Sequence, residues 1–177
     1  MSMLHKAVAN WRASLSVAVI STGLALAAPT SVHAQEMDES TRAALAYELT
    51  MPKLEAYAKT LEDMGVWAKK NPAEAKRMRN RKPSKSAPSL DEEAMQMEKV
   101  PGLKEVLDRN GLSWKDVALI PLALMSGVGA QMMEQRGIEP PAGRINSSAL
   151  ALARANPAQL ETLSLRIGAA RQVLSGK

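Results

Sequence analysis

The sequence predicts an all-α fold: a single-domain helical bundle of about six helices around one central apolar helix. Three observations lead there. From residue 50 onward, apolar residues recur every three or four positions, the spacing that lines one face of a helix. Ser, Thr or Asn followed by Pro or an acid, the chemistry that opens helices, recurs along the chain. No stretch shows two-residue alternation bounded by Asn-Gly-type turns, so strands are not expected.

The first element reads as an export signal. Lys6 and Arg12 precede an apolar run from Ala13 to Ala28, and no acid occurs before Glu36. Pro29 ends the run, and Val32-His33-Ala34 supplies small residues at the two positions a signal peptidase reads. Residues 1–34 are therefore expected to be a secretory signal cleaved after Ala34. That leaves residues 35–177 as a periplasmic or secreted helical domain. The alternative, an uncleaved anchor, is opposed by a run shorter than the roughly 20 residues a bilayer core requires. Hence the mature protein is not expected to be an integral membrane protein.

Cleavage removes both histidines, His5 and His33, and the chain has no Cys. Ser-His-Asp and Cys-His catalysis, imidazole or thiolate metal sites and disulfides then fall away. The acids lie at helix starts (Glu74, Asp91, Glu92, Asp116) or on expected wet faces (Glu55, Glu62, Glu105), where capping and surface pairing account for them. No enzymatic activity, catalytic residue, metal or cofactor is expected. Loss of Lys6 and Arg12 from the 23 Lys+Arg leaves 21 basic against 18 acidic residues, a net charge of +3. Trp67, Trp114, Tyr47 and Tyr57 are the mature chain's only aromatics, too few among the basic residues for base stacking, so no nucleic-acid partner is expected.

Residues 36–49 are ambiguous between a short helix and an extended arm. Thr50 reads as the cap of a long helix with Pro52 in its first turn and Leu54, Tyr57, Leu61, Met64 and Trp67 on one stripe. Asn71-Pro72-Ala73-Glu74 opens a short polar helix that dissolves into a basic Pro/Ser/Lys loop at about 76–89. Ser89-Leu90-Asp91-Glu92 is a capping box for a helix to about Lys99. Pro101 is expected to open the next helix, which buries Leu103, Val106 and Leu107 before a left-handed Gly111 stops it.

Ser113-Trp114-Lys115-Asp116 caps the most apolar helix, expected to run to about Arg136 and to end at Gly137. Val117–Met133 is apolar on nearly all sides, the signature of a helix buried at the centre of a soluble protein. Pro121 should kink it, and Ala123, Ser126, Gly127 and Ala130 should admit a close neighbour. Beyond a Pro-Pro-Gly loop, Asn146 caps a helix over 147–155. Asn156-Pro157-Ala158-Gln159 starts the last helix, with Leu160, Leu163, Ile167, Ala170 and Leu174 inward.

Gly111-Leu112-Ser113-Trp114-Lys115-Asp116, Leu49-Thr50-Met51 and the Asn-Pro start near the C-terminus together resemble a family of uncharacterised exported bacterial helical proteins. That resemblance implies export and a helical fold, and no site residues.

Three binding chemistries are readable. The segment 69–85 holds Lys69, Lys70, Lys76, Arg77, Arg79, Arg81, Lys82 and Lys85 against the single acid Glu74. Such a cluster suits an anionic envelope component, whether anionic lipid, lipopolysaccharide or an acidic envelope protein; otherwise it is a solvated loop. Lys76, Arg77, Arg79, Arg81, Lys82 and Lys85 are its candidate anion-binding residues. Alternatively, a groove beside helix 114–136, formed by Trp114, Pro121, Met125, Gly127, Gly129 and Met132, holds a small apolar ligand or lipid, unless another helix fills it. The third chemistry is Cu(I) binding by thioethers, with Met95-Gln96-Met97 as the spaced pair. Its competitor is Met as a filler of irregular core gaps, and on a helix the two sulfurs would point apart. Oligomeric state is not readable from the sequence.

Overall fold

The computed structural model describes residues 37–80 and 89–176, which form eight α-helices and no strand. The fold is all-α. The expected leader 1–34 and the basic residues Arg81, Lys82 and Lys85 lie outside the described residues.

Helix α1 (Glu39–Ala46) resolves the ambiguous segment as both alternatives in succession. Asp38 caps it, accepting from the Thr41 backbone N–H at 2.7 Å, and the chain then turns extended from Tyr47 to the Thr50 cap of the next helix. That helix, α2 (Met51–Lys70), buries Leu54, Tyr57, Leu61, Met64 and Trp67, the stripe its spacing predicts. Next come α3 (Pro72–Arg79), α4 (Leu90–Glu98) and α5 (Leu103–Arg109). The chain continues through α6 (Trp114–Glu134), α7 (Ser147–Ala155) and α8 (Pro157–Ser175). Residues 76–79, expected in the basic loop, are the last turn of α3.

The capping boxes at Ser89/Glu92 and Ser113/Asp116 both form reciprocally. The two Asn-Pro junctions work differently from expectation. Neither Asn71 nor Asn156 caps the helix ahead with its side chain. Each instead turns its amide back onto the helix behind, Asn71 to Trp67 O at 3.0 Å and Asn156 to Leu152 O at 3.4 Å. A Pro at the next helix's first turn removes one orphan N–H, so the ending helix's carbonyls are the groups left needing a partner. Pro101 does not open α5 either. Its carbonyl accepts from the Trp67 indole at 3.0 Å, and Gly102 starts the helix at φ +82°. A Cβ on Gly102 would lie 2.9 Å from that indole nitrogen.

Two helix pairs build the body. α2 packs along α8, and α6 packs along α7; α7 meets α8 and α2 touches α6, joining the pairs. The α2–α8 seam is tied at its surface by Arg166 to Glu62 (2.9 and 3.0 Å) and by Arg171 to the Tyr57 hydroxyl (2.9 Å). The α6–α7 seam depends on Gly127, where a Cβ would fall 2.4 Å from the Ala149 carbonyl carbon. α1 and α4 also lie against α6, while α5 bridges α2 and α4.

α6 is thus central in its neighbours, yet it is not enclosed. It buries Leu119, Ile120, Ala123, Leu124, Gly127 and Ala130 and leaves its opposite side open. The reason is length. α1, α4 and α7 have 8, 9 and 9 residues against 21 in α6, so they cannot ring a helix about 31 Å long. α6 runs through Pro121 as one helix.

Candidate functional site

At 100° per residue, Lys115, Ala118, Leu122, Met125, Gly129 and Met132 fall on one side of α6, with Arg136 just past its end. α4 approaches the first turn of α6, where Ala118 lines the cleft between the two helices; from Leu122 onward the neighbouring helices leave this side uncovered. Leu122 is 42% exposed and Met125 47%. Open space surrounds the Cβ position of Gly129, and Ala118 and Met132 are half-buried. The helix's two acids point away. Asp116 is held by Ser113 and Tyr47, and Glu134 by Arg154 at 2.5 and 3.1 Å. The result is an uncharged apolar stripe with a cation at each end. Lys115 lies 3.5 Å from Asp91 in an exposed pair, a contact too wet to neutralise it firmly.

The six expected groove residues do not line one cavity. Met125, Gly129 and Met132 belong to the open stripe, with Pro121 half-buried at its edge. Gly127 is occupied by α7. Trp114 is buried and lines a separate cleft of about 140 Å³ between α4 and the start of α6. Leu90, Ala94 and Met97 of α4 form one wall, Trp114, Val117 and Ala118 the other, with Glu93 adding a carboxylate. The Trp114 indole N–H is buried with no acceptor among the described residues, and α4 contributes no fully buried side chain. Leu122 was not singled out by sequence reasoning. Its signal is its place four residues after Ala118 and three before Met125, which identifies a stripe but not which stripe stays uncovered.

In the described part of the basic segment two of the five cations, Arg77 and Arg79, make exposed contacts within the molecule. Arg77 pairs with Glu74 at 3.2 Å, and Arg79 donates to Leu174 O at 3.3 Å, at the end of α8. Lys69, Lys70, Lys76, Arg77 and Arg79 all sit in the last turns of α2 and α3, where helix carbonyls favour cations. Met95 is 55% exposed, whereas Met97 packs on the core and lines the Trp114 cleft, so the pair does not present two sulfurs on one face. Among the described residues no three His, Cys, Asp or Glu gather as a metal cluster.

One polar constellation spans three segments. The Tyr47 hydroxyl donates to Asp116 Oδ1 at 2.7 Å, and Ser113 donates its N–H and hydroxyl to Oδ2 at 2.8 and 2.6 Å. Burial works to raise the Asp116 carboxyl, but these hydrogen bonds and the nearby Lys53 charge outweigh it and hold it below the usual carboxylate range. Burial, and then the Asp116 carboxylate, push the Tyr47 phenol well above its ordinary value. The arrangement fastens the α1–α2 connection to the start of α6, and every group in it is engaged in that role.

Among the described residues α6 is long and apolar enough to cross a bilayer by length and composition; in the fold it packs against α7, α1 and α4. No family model, curated protein or solved structure matches the chain.

Proposed function

We propose that the chain is an exported, non-enzymatic binding module that docks on an anionic lipid surface through the open side of α6. The observation that carries this reading is the uncharged stripe of Leu122, Met125, Gly129 and Met132 between Lys115 and Arg136. A helix lying flat in the headgroup region sinks such a stripe into the acyl boundary while its terminal cations meet lipid phosphates. The leucine and two methionines contribute about 1–2 kcal/mol each when partly buried. Each cation adds about 1 kcal/mol near an anionic leaflet. The sum describes reversible, salt-sensitive association rather than insertion. Lys69, Lys70 and Lys76 strengthen the approach from a distance.

The test is co-sedimentation with vesicles of phosphatidylglycerol and phosphatidylcholine at low and high salt. The wild type should bind anionic vesicles, bind neutral ones less, and lose binding in high salt. The double variant Leu122→Gln/Met125→Gln should bind at least about tenfold more weakly with an unchanged melting temperature. Wild-type binding by that variant would sink the proposal.

A second reading, a small apolar ligand in the Trp114 cleft, is favoured by the indole N–H that finds no acceptor among the described residues. The ligand chemistry would be a neutral apolar molecule with one acceptor oxygen, since Glu93 repels anions. Saturable change of tryptophan fluorescence on titration with 2-hexanone, absent in Trp114→Phe, would support it; a linear, non-saturating response would exclude it.

A further inference from the structure

Resting on the docking reading of α6, we propose that Met125 is an oxidation switch in the docking face. Its conversion to the sulfoxide by a hypohalous acid makes the stripe polar and releases the protein from lipid.

The methionines differ sharply in access. Met64 is 6% exposed in the core, and Met51, Met78 and Met97 are partly buried against it. Met125 and Met95 stand open at 47% and 55%. Met95 belongs to α4, whereas Met125 sits at the stripe's midpoint on α6, between Leu122 and Gly129. The chain contains no cysteine, so thioethers are its softest surface nucleophiles. In the reaction with hypochlorous acid the sulfur gives up two electrons and gains the oxygen atom. Chlorine is reduced, and chloride and a proton leave. The product replaces a flexible apolar group with a strong dipole whose oxygen needs a hydrogen-bond partner, which an acyl environment does not supply. Because Met125 is no part of the buried cluster, the change alters the face without loosening the core.

The experiment treats purified protein with graded hypochlorous acid, follows each methionine by peptide mass spectrometry, and measures partition onto the same anionic vesicles. Met125 and Met95 should oxidise before Met64, and partition should fall about tenfold as Met125 sulfoxide accumulates, with melting temperature unchanged. Methionine sulfoxide reductase should restore binding. Each variant is compared with its own untreated form: oxidised Met125→Leu should keep the binding of untreated Met125→Leu, whereas Met95→Leu should still lose binding on oxidation. Loss of binding by oxidised Met125→Leu, or full binding by protein carrying Met125 sulfoxide, overturns the switch while leaving the docking reading intact. Failure of the reduced wild type to bind at all overturns both.

Discussion

The side-chain nitrogen of Asn146 lies 2.7 Å from the carbonyl oxygen of Ala44, 102 residues earlier in the chain. The same nitrogen also donates to Tyr47 O at 2.7 Å, while Oδ1 accepts from the Ala149 N–H at 2.8 Å. One buried amide therefore caps α7 and clamps the end of α1. Asn146→Ala orphans the Ala149 N–H and strips one donor each from Ala44 O and Tyr47 O, which keep the Tyr47 N–H and the Ser148 hydroxyl respectively, and should cost about 1–3 kcal/mol. Asn146→Asp separates the roles. It keeps the cap acceptor but aims a carboxylate at two carbonyls, so it should be no milder than Ala. Urea denaturation measures both, and a mild Asp variant would show that only the cap matters.

Two glycines two positions apart on α6 should respond in opposite directions. A Cβ at Gly127 meets the Ala149 backbone at 2.4 Å, which cannot yield as a flexible side chain would. Gly127→Ala should push α6 and α7 apart and cost about 2–3 kcal/mol. At Gly129 nothing lies within 4 Å, so Ala there gains helix propensity and should stabilise by about 0.5–1 kcal/mol. Thermal melts of the two variants should move to either side of wild type. Equal shifts would contradict the α6–α7 packing.

What could be read from the sequence was local, and what could not depended on who covers whom. Ser89/Glu92, Ser113/Asp116 and Asn146 act as caps because that chemistry is settled within four residues. The α2 stripe follows in the same way from its period. Asn71 and Asn156 escaped because an Asn between two helices serves either one, and only the adjoining Pro decides which. The candidate site was half legible. Met125, Gly129 and Met132 share a stripe by spacing alone, but Gly127 and Leu122 are both small or apolar positions on one helix, and only the placement of α7 makes one covered and the other open. All-round apolarity suggested full burial, and the shortness of α1, α4 and α7 prevented it. Charge counts along the basic segment likewise do not reveal that Arg79 reaches a carbonyl 95 residues away.

The Tyr47–Asp116 pair should tie stability to pH at both ends of the scale. The Asp116 carboxyl is held below its unfolded value of about 3.9, so its contribution is complete above that pH and is lost as pH falls through the lowered folded value. The Tyr47 phenol is held above its unfolded value of about 10, so its contribution is complete below pH 10 and is lost as pH rises beyond it. Tyr47→Phe removes the hydroxyl but keeps the ring that Lys53 Nζ approaches at 4.6 Å. At pH 7 it should cost about 1–2 kcal/mol, a charge-assisted hydrogen bond in a partly exposed site. The gap between wild type and variant should narrow below pH 4, as the carboxylate that accepts the bond is protonated. It should narrow again above pH 10, where the wild type alone loses the benefit of a protonated phenol. Urea denaturation at pH 3, 7 and 10.5 reads the three gaps directly. A constant difference across all three would mean that the hydroxyl and the carboxylate are not coupled, and that Tyr47 holds α1 to α6 by its ring alone.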